Sequence, residues 1–210
     1  SAAFTDGQYM TLSTGGALTI SNDAAAPAYL IAAGGSTGVT LGVLRFEGTN
    51  EDMKLDRVAL EMSNVAATST PADITQVTLW DGATQIGTAV FSGTNRNATS
   101  TITGTVIIPA NNFKKITIKG DLAAIGTGQP GDSGVLIEVD YDGNDTTGTR
   151  AIGQSSGTTI NQGSATDADM DGGRMFRAYP TVAQLSLPST ALTAGTAKDL
   201  TRFSITASNN

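Results

Sequence analysis

Apolar and polar residues alternate in short runs along this chain, and no run shows the three-to-four-residue recurrence of a sustained helix. Leu18 and Ile20 alternate with Thr19 and Ser21, and Tyr29-Leu30-Ile31 is a second short apolar piece. Val39, Leu41 and Val43 lead into Phe46, and Val58, Leu60 and Met62 alternate with Ala59 and Glu61. Val77-Thr78-Leu79-Trp80 and the segment from Thr84 flank Asp81-Gly82, the pair preferred where both turn residues need positive φ. This predicts a hairpin with a type I′ turn, its second strand running to Val90-Phe91. Ile102 to Ile108 forms a strand that Pro109 ends by removing a ladder donor. Phe113, Ile116 and Ile118 make the next strand, with Lys114, Lys115, Thr117 and Lys119 outward, and Leu122–Ile125 suggests one helical turn. Val135, Ile137 and Val139 alternate with Leu136, Glu138 and Asp140.

The pattern also repeats at long range. Leu18-Thr19-Ile20-Ser21, Ala32-Ala33-Gly34-Gly35 and Leu44-Arg45-Phe46 are echoed by Gln184-Leu185-Ser186-Leu187, Leu192-Thr193-Ala194-Gly195 and Thr201-Arg202-Phe203. A repeat this long means tandem domains rather than a solenoid of small units. The expected fold is therefore all-β, an antiparallel β-sandwich of immunoglobulin-like or jelly-roll type, in tandem and with the second domain incomplete. Residues 1–16 read as an extension or the last strand of a preceding domain, and 17–142 as the sandwich. Residues 143–180, rich in Gly, Ser, Thr and Asp, read as a linker or a long loop folded back on the first domain, and 181–210 as the opening strands of a second repeat. The chain is expected to be part of a longer protein.

Composition narrows the function. His and Cys are absent, which removes the commonest general base, the Ser-His-Asp triad, thiolate nucleophiles, disulfides and zinc-thiolate sites. Charged residues make up only 15%, against roughly 25% in ordinary soluble proteins. Such a polar, nearly uncharged surface suits packing against copies of itself. A net charge of −7 with no basic cluster argues against nucleic acid and against an anionic membrane surface. No apolar run is long enough to span a bilayer, so no membrane span is expected. Ser1-Ala2-Ala3 either follows a removed signal or marks a fragment boundary.

Three stretches carry a resemblance: Thr78-Leu79-Trp80-Asp81-Gly82 with Ile86-Gly87, Val139-Asp140-Tyr141-Asp142-Gly143, and Arg174-Met175-Phe176-Arg177-Ala178-Tyr179-Pro180-Thr181. With Leu44-Arg45-Phe46 and Asn50-Glu51-Asp52, they resemble the repeated β-domains of large bacterial surface proteins, S-layer-like or adhesin-like, over most of residues 16–210. The resemblance implies an extracellular, multidomain cell-surface protein and carries over no catalytic residue.

The sharpest chemical motif is Asp167-Ala168-Asp169-Met170-Asp171-Gly172. Asp-x-Asp-x-Asp-Gly is the front half of a Ca²⁺ loop, in which alternating carboxylates converge on one ion. The twelfth position, where an EF-hand supplies Glu, is Ala178, so the chain lacks a standard EF-hand. Two readings stand: a Ca²⁺ site completed by other groups, or a solvated acidic turn. Asp140, Asp142 and Asn144 form a second candidate cation cluster, or an Asx-type turn; Glu51-Asp52 is a weaker one. Lys114, Lys115 and Lys119 read as a solvent face with edge-protecting lysines. The functional expectation is a non-enzymatic structural surface protein that assembles with copies of itself into a layer or filament, stiffened by calcium. The alternative is an adhesin or carbohydrate-binding module that takes a cell-surface glycan, and the third reading is an accessory domain of a secreted enzyme.

Overall fold

The computed structural model describes residues 15–62, 68–161 and 166–209. Most of the expected N-terminal extension lies outside the described residues. The strands in chain order are β1 (Ala17–Asn22), β2 (Leu30–Ala33), β3 (Val39–Thr49), β4 (Met53–Glu61), β5 (Ile74–Asp81), β6 (Thr84–Ala89), β7 (Asn97–Ile108) and β8 (Asn112–Leu122). They continue with β9 (Leu136–Ile137), β10 (Asp140–Tyr141), β11 (Arg150–Gly153), β12 (Thr159–Asn161), β13 (Gly173–Phe176), β14 (Ala178–Leu185) and β15 (Arg202–Asn209). Among the described residues the only helical element is a single 3₁₀ turn, Pro71–Asp73.

The protein is all-β, with antiparallel sheets packed together as a β-sandwich. One sheet runs β1-β3-β8-β5-β6. In the other, β4 carries β7 along one edge, while its opposite edge takes β11 at its start and β10 at its end. The apolar member of each alternating pair fills the space between them. Leu44, Phe46, Leu55, Leu60, Val77, Leu79, Ile116 and Ile118 are fully buried. By area, each such apolar side chain contributes about 1.5–3 kcal/mol over its exposed state. A third, three-stranded sheet runs β2-β13-β9, with β13 parallel to β2.

Three local expectations change in the structure. The β5–β6 hairpin forms, but Asp81 pairs with Thr84, so the loop is Gly82-Ala83 rather than Asp81-Gly82. Gly82 has φ +59 and Ala83 is not in the positive-φ region. This is the φ pattern of a type II′ turn, which places Gly first and frees Asp81 to finish the strand. β6 ends at Ala89, short of Val90 and Phe91. Leu122–Ile125 makes no helical turn: Leu122 closes β8, and the Ala123 N–H goes to the Asp73 carbonyl at 2.8 Å. Finally, β8 is not an edge strand but lies between β3 and β5.

The sandwich also continues past residue 142. β11, β12 and β13 all come from the stretch 143–180 and join the sheets of the first domain. Ala151, Ala168, Met170 and Met175 anchor it in the core. Strands of three or four residues carry too little alternation to stand out from a Gly/Ser/Thr background. Glu51 secures part of this stretch: its buried carboxylate accepts hydrogen bonds from the N–H groups of Gly16, Ser155 and Ser156 and from Ser156 Oγ, at 2.6–2.9 Å.

After Phe176 the chain forms a two-stranded ribbon, β14–β15. Like β1 and β3 its strands pair antiparallel, but the innermost pair differs: Leu185–Arg202 encloses residues 186–201, whereas Asn22–Leu44 encloses residues 23–43. The likeness holds for the hairpin rather than side chain by side chain. Phe46 faces Ile20, whereas Phe203 faces Gln184, and Leu187 falls beyond the end of β14. Environment separates the two phenylalanines: Phe46 is 0% exposed and Phe203 60%.

Candidate functional site

Asp140, Asp142, Asn144 and Asp167 lie together at one end of the second sheet. Ile137, Val139 and Tyr141 point into the core, which turns Glu138, Asp140 and Asp142 to the opposite side. That side is covered as well, since all six residues are buried. The cover is the segment 166–172. Ala168 bridges to Tyr141, and the Met170 N–H donates to Asp140 Oδ1 at 2.7 Å. Gly172 lets the chain lie this close: it has φ +70, and a Cβ there would sit 2.4 Å from the Ile137 carbonyl oxygen.

This packing explains the form of the Asp-x-Asp-x-Asp motif. Ala168, Met170 and Gly172 turn inward, while Asp169 and Asp171 are exposed and Asp167 is half-buried. Alternate residues of an extended chain stand about 7 Å apart, so the three carboxylates line up along the segment rather than curl around one point. Among the described residues, no three acidic side chains converge as the ligand set of a metal ion.

The other candidates act as turn builders. Asp142 Oδ1 accepts the N–H groups of Asn144 and Asp145 at 3.1 and 2.9 Å, and its Oδ2 accepts Asn97 Nδ2–H at 2.6 Å. Asp167 accepts the Gly143 N–H and Asn144 Nδ2–H at 2.8 and 2.7 Å. These bonds tie the 142–145 turn to the covering segment.

Asp140 is 0% exposed, and its Oδ2 has no hydrogen-bond partner. Directly across the β4–β10 ladder stands Glu61, which was not among the candidate ligands. Burial pushes the Asp140 carboxyl up to about 7, helped by the charges of Glu138, Asp169 and Glu61 and opposed by the Met170 hydrogen bond. Burial and the charges of Asp167, Asp142 and Asp169 push Glu61 up to about 6, with Arg96 pulling the other way.

The remaining candidates are structural. Lys114 pairs with Asp81 and Lys115 with Asp23, both at 2.7 Å, and Lys119 lies over the Trp80 ring at 4.1 Å. A glycan site needs exposed aromatic rings, and Tyr141, 0% exposed, cannot stack on a sugar.

The class of protein that fold and site define is an antiparallel β-sandwich domain with a buried acidic seam. Comparison with protein-family models, with curated proteins and with solved structures finds no match for this chain.

Proposed function

We propose that this chain is a structural segment of a bacterial cell-surface protein, built on β-sandwich domains in tandem and working by assembly with copies of itself into a layer or filament. In this reading it performs no catalysis. The observation that carries the reading is the β14–β15 ribbon. It is an antiparallel pair like β1–β3, yet Val182, Phe203 and Ile205, which share one of its faces, are 67%, 60% and 63% exposed. The equivalent face of β1–β3 is core. An apolar ribbon face open to water favours contact with further polypeptide, from the rest of a second sandwich or from another copy, and a two-stranded ribbon alone is marginal in water. No charged residue lies on that face, although the chain carries −7, so two copies meet there without like-charge repulsion.

The test is sedimentation equilibrium from micromolar to millimolar protein, with electron microscopy of the concentrated sample. The expected result is concentration-dependent association that Val182→Asp and Ile205→Asp abolish. Monomers throughout, with no sheets or fibres, overturn the reading.

A further inference from the structure

The two edges of the β14–β15 ribbon are chemically unequal. Successive residues of a strand aim their backbone groups at opposite edges, so one pair sets the direction of all the rest. Two observations set it here. Pro180, which has no N–H, stands opposite Ala207, as suits a pair that exchanges no ladder bonds. The Thr181 hydroxyl donates to the Thr206 carbonyl at 3.2 Å, which puts that carbonyl on the β14 side. Phe203, Ile205 and Ala207 therefore direct their N–H and C=O groups to the outer edge of β15. Val182 and Gln184 direct theirs to the outer edge of β14, where Pro180 leaves a donor missing. Proline is one of the devices that keep an edge strand from pairing. β15 has none of them: it runs eight residues without Pro, Lys or a register shift, and its single charge is Arg202 at one end. Among the described residues it pairs with β14 alone. The outer strands of the sandwich are shorter or covered. β12 has three residues and β1 six, and β6 lies beside β7, whose Thr103 hydroxyl donates to the Ile86 carbonyl at 3.1 Å.

We infer, resting on the assembly reading, that β15 pairs antiparallel with β15 of a second copy and joins two ribbons into one four-stranded sheet. The occupant is a copy because the edge complements itself. About a two-fold axis, the register that engages the outward residues from Phe203 to Asn209 sets Ile205 opposite Ala207 of the second copy and Thr206 opposite Thr206. Antiparallel order carries the two Arg202 side chains to opposite ends, so no like charges face each other. Residues opposite one another share a face, so Val182, Phe203 and Ile205 of both copies line one side of the new sheet. The edge contact uses up both β15 edges and closes on itself. Growth into a layer or filament then falls to the doubled apolar face.

The chain has no Cys, so a single introduced one reports its own neighbours. In this register Thr206 of the two copies stand about 4.5 Å apart at Cα, within disulfide reach. Under mild oxidation at a concentration where the chain associates, Thr206→Cys should give a disulfide-linked dimer, and Thr181→Cys, on β14, should not. In sedimentation equilibrium, Ala207→Pro removes an outward donor without touching the β14 ladder and should weaken association at least tenfold. Gln184→Pro, its counterpart on β14, should leave association unchanged. Should Ala207→Pro perturb the ribbon itself, the cross-link decides without it. No more cross-linking in Thr206→Cys than in Thr181→Cys, or full association in Ala207→Pro, overturns the edge pairing and leaves copies meeting through the apolar face alone. Monomers at every concentration overturn the edge pairing and the assembly reading together.

Discussion

Phe46 and Phe203 each follow an Arg in a strand of an antiparallel pair and differ in surroundings, which makes them a useful comparison. Phe46 is 0% exposed in the sandwich core. Truncation to Ala removes its burial and leaves a cavity, for about 3–5 kcal/mol. Phe203 is 60% exposed. A buried aromatic covers about 150–250 Å². The covered minority of Phe203 is then of order 80 Å², worth at most about 2 kcal/mol at about 25 cal/mol per Å². That contribution belongs to the ribbon, not to the cooperative unfolding of the sandwich. Trp80 is the chain's single tryptophan and lies in β5, so its fluorescence reports the sandwich alone. In urea, with an m-value of about 2 kcal/mol/M, Phe46→Ala should lower the midpoint by roughly 2 M. Phe203→Ala should leave it within about 0.2 M in dilute protein, using the same slope. A Phe203→Ala shift above half that of Phe46→Ala refutes the separation of ribbon from core. A Phe46→Ala cost under about 1 kcal/mol refutes the packing assigned to β3.

Further predictions concern the charged groups and one glycine. Without divalent cations, raised Asp140 and Glu61 make a contribution fully present below their unfolded values, near 4, and lost as pH rises through about 6 to 7. Melting temperature in chelator should therefore climb from pH 8 to pH 5, and a curve that falls over this range contradicts the seam's electrostatics. Glu51 has the opposite sign: its serine and glycine hydrogen bonds hold it at about 2, so its contribution is present above 4.5 and disappears as pH drops toward 2. Glu51→Gln should lower the melting temperature at pH 7 and flatten the acid limb of the same curve. Gly172→Ala forces a side chain into a positive-φ position against the Ile137 carbonyl and should cost more than about 2 kcal/mol in urea unfolding.

The long antiparallel strands were legible because period-two alternation is strong over eight to twelve residues. β3, β5, β7 and β8 fall where Leu41, Val77, Ile102 and Ile116 place them. The short strands β11 to β13 were not, because Arg150-Ala151-Ile152-Gly153 has the local look of a loop and gains its strand character from pairing with β4. The turn at Gly82 was found with its register off by one, since Asp81 fits either a turn or a strand end. For the acidic seam, sequence supplied Asp140 and Asp169 but not Glu61, because only the β4–β10 register brings position 61 opposite position 140. The Asp-x-Asp-x-Asp spacing could not show whether its segment curls or extends. Packing of Ala168 and Met170 into the core decides that in favour of extension.

The parallel pairing of β13 with β2 has a mechanical consequence. β13 is the last strand before the ribbon, so tension entering from the ribbon is delivered along its axis. Its partner β2 runs in the same direction and is anchored through β1 at the far end of the load path. Pulling the two ends apart drags these strands past each other in opposite senses. The four residue pairs from Gly173–Leu30 to Phe176–Ala33 then carry the load together instead of unzipping in turn, and β9 grips the other side of β13 at Gly173 and Arg174. A sheet too small to contribute much at equilibrium thus serves as a shear lock, and single-molecule stretching should register it as a force peak that precedes the opening of the sandwich.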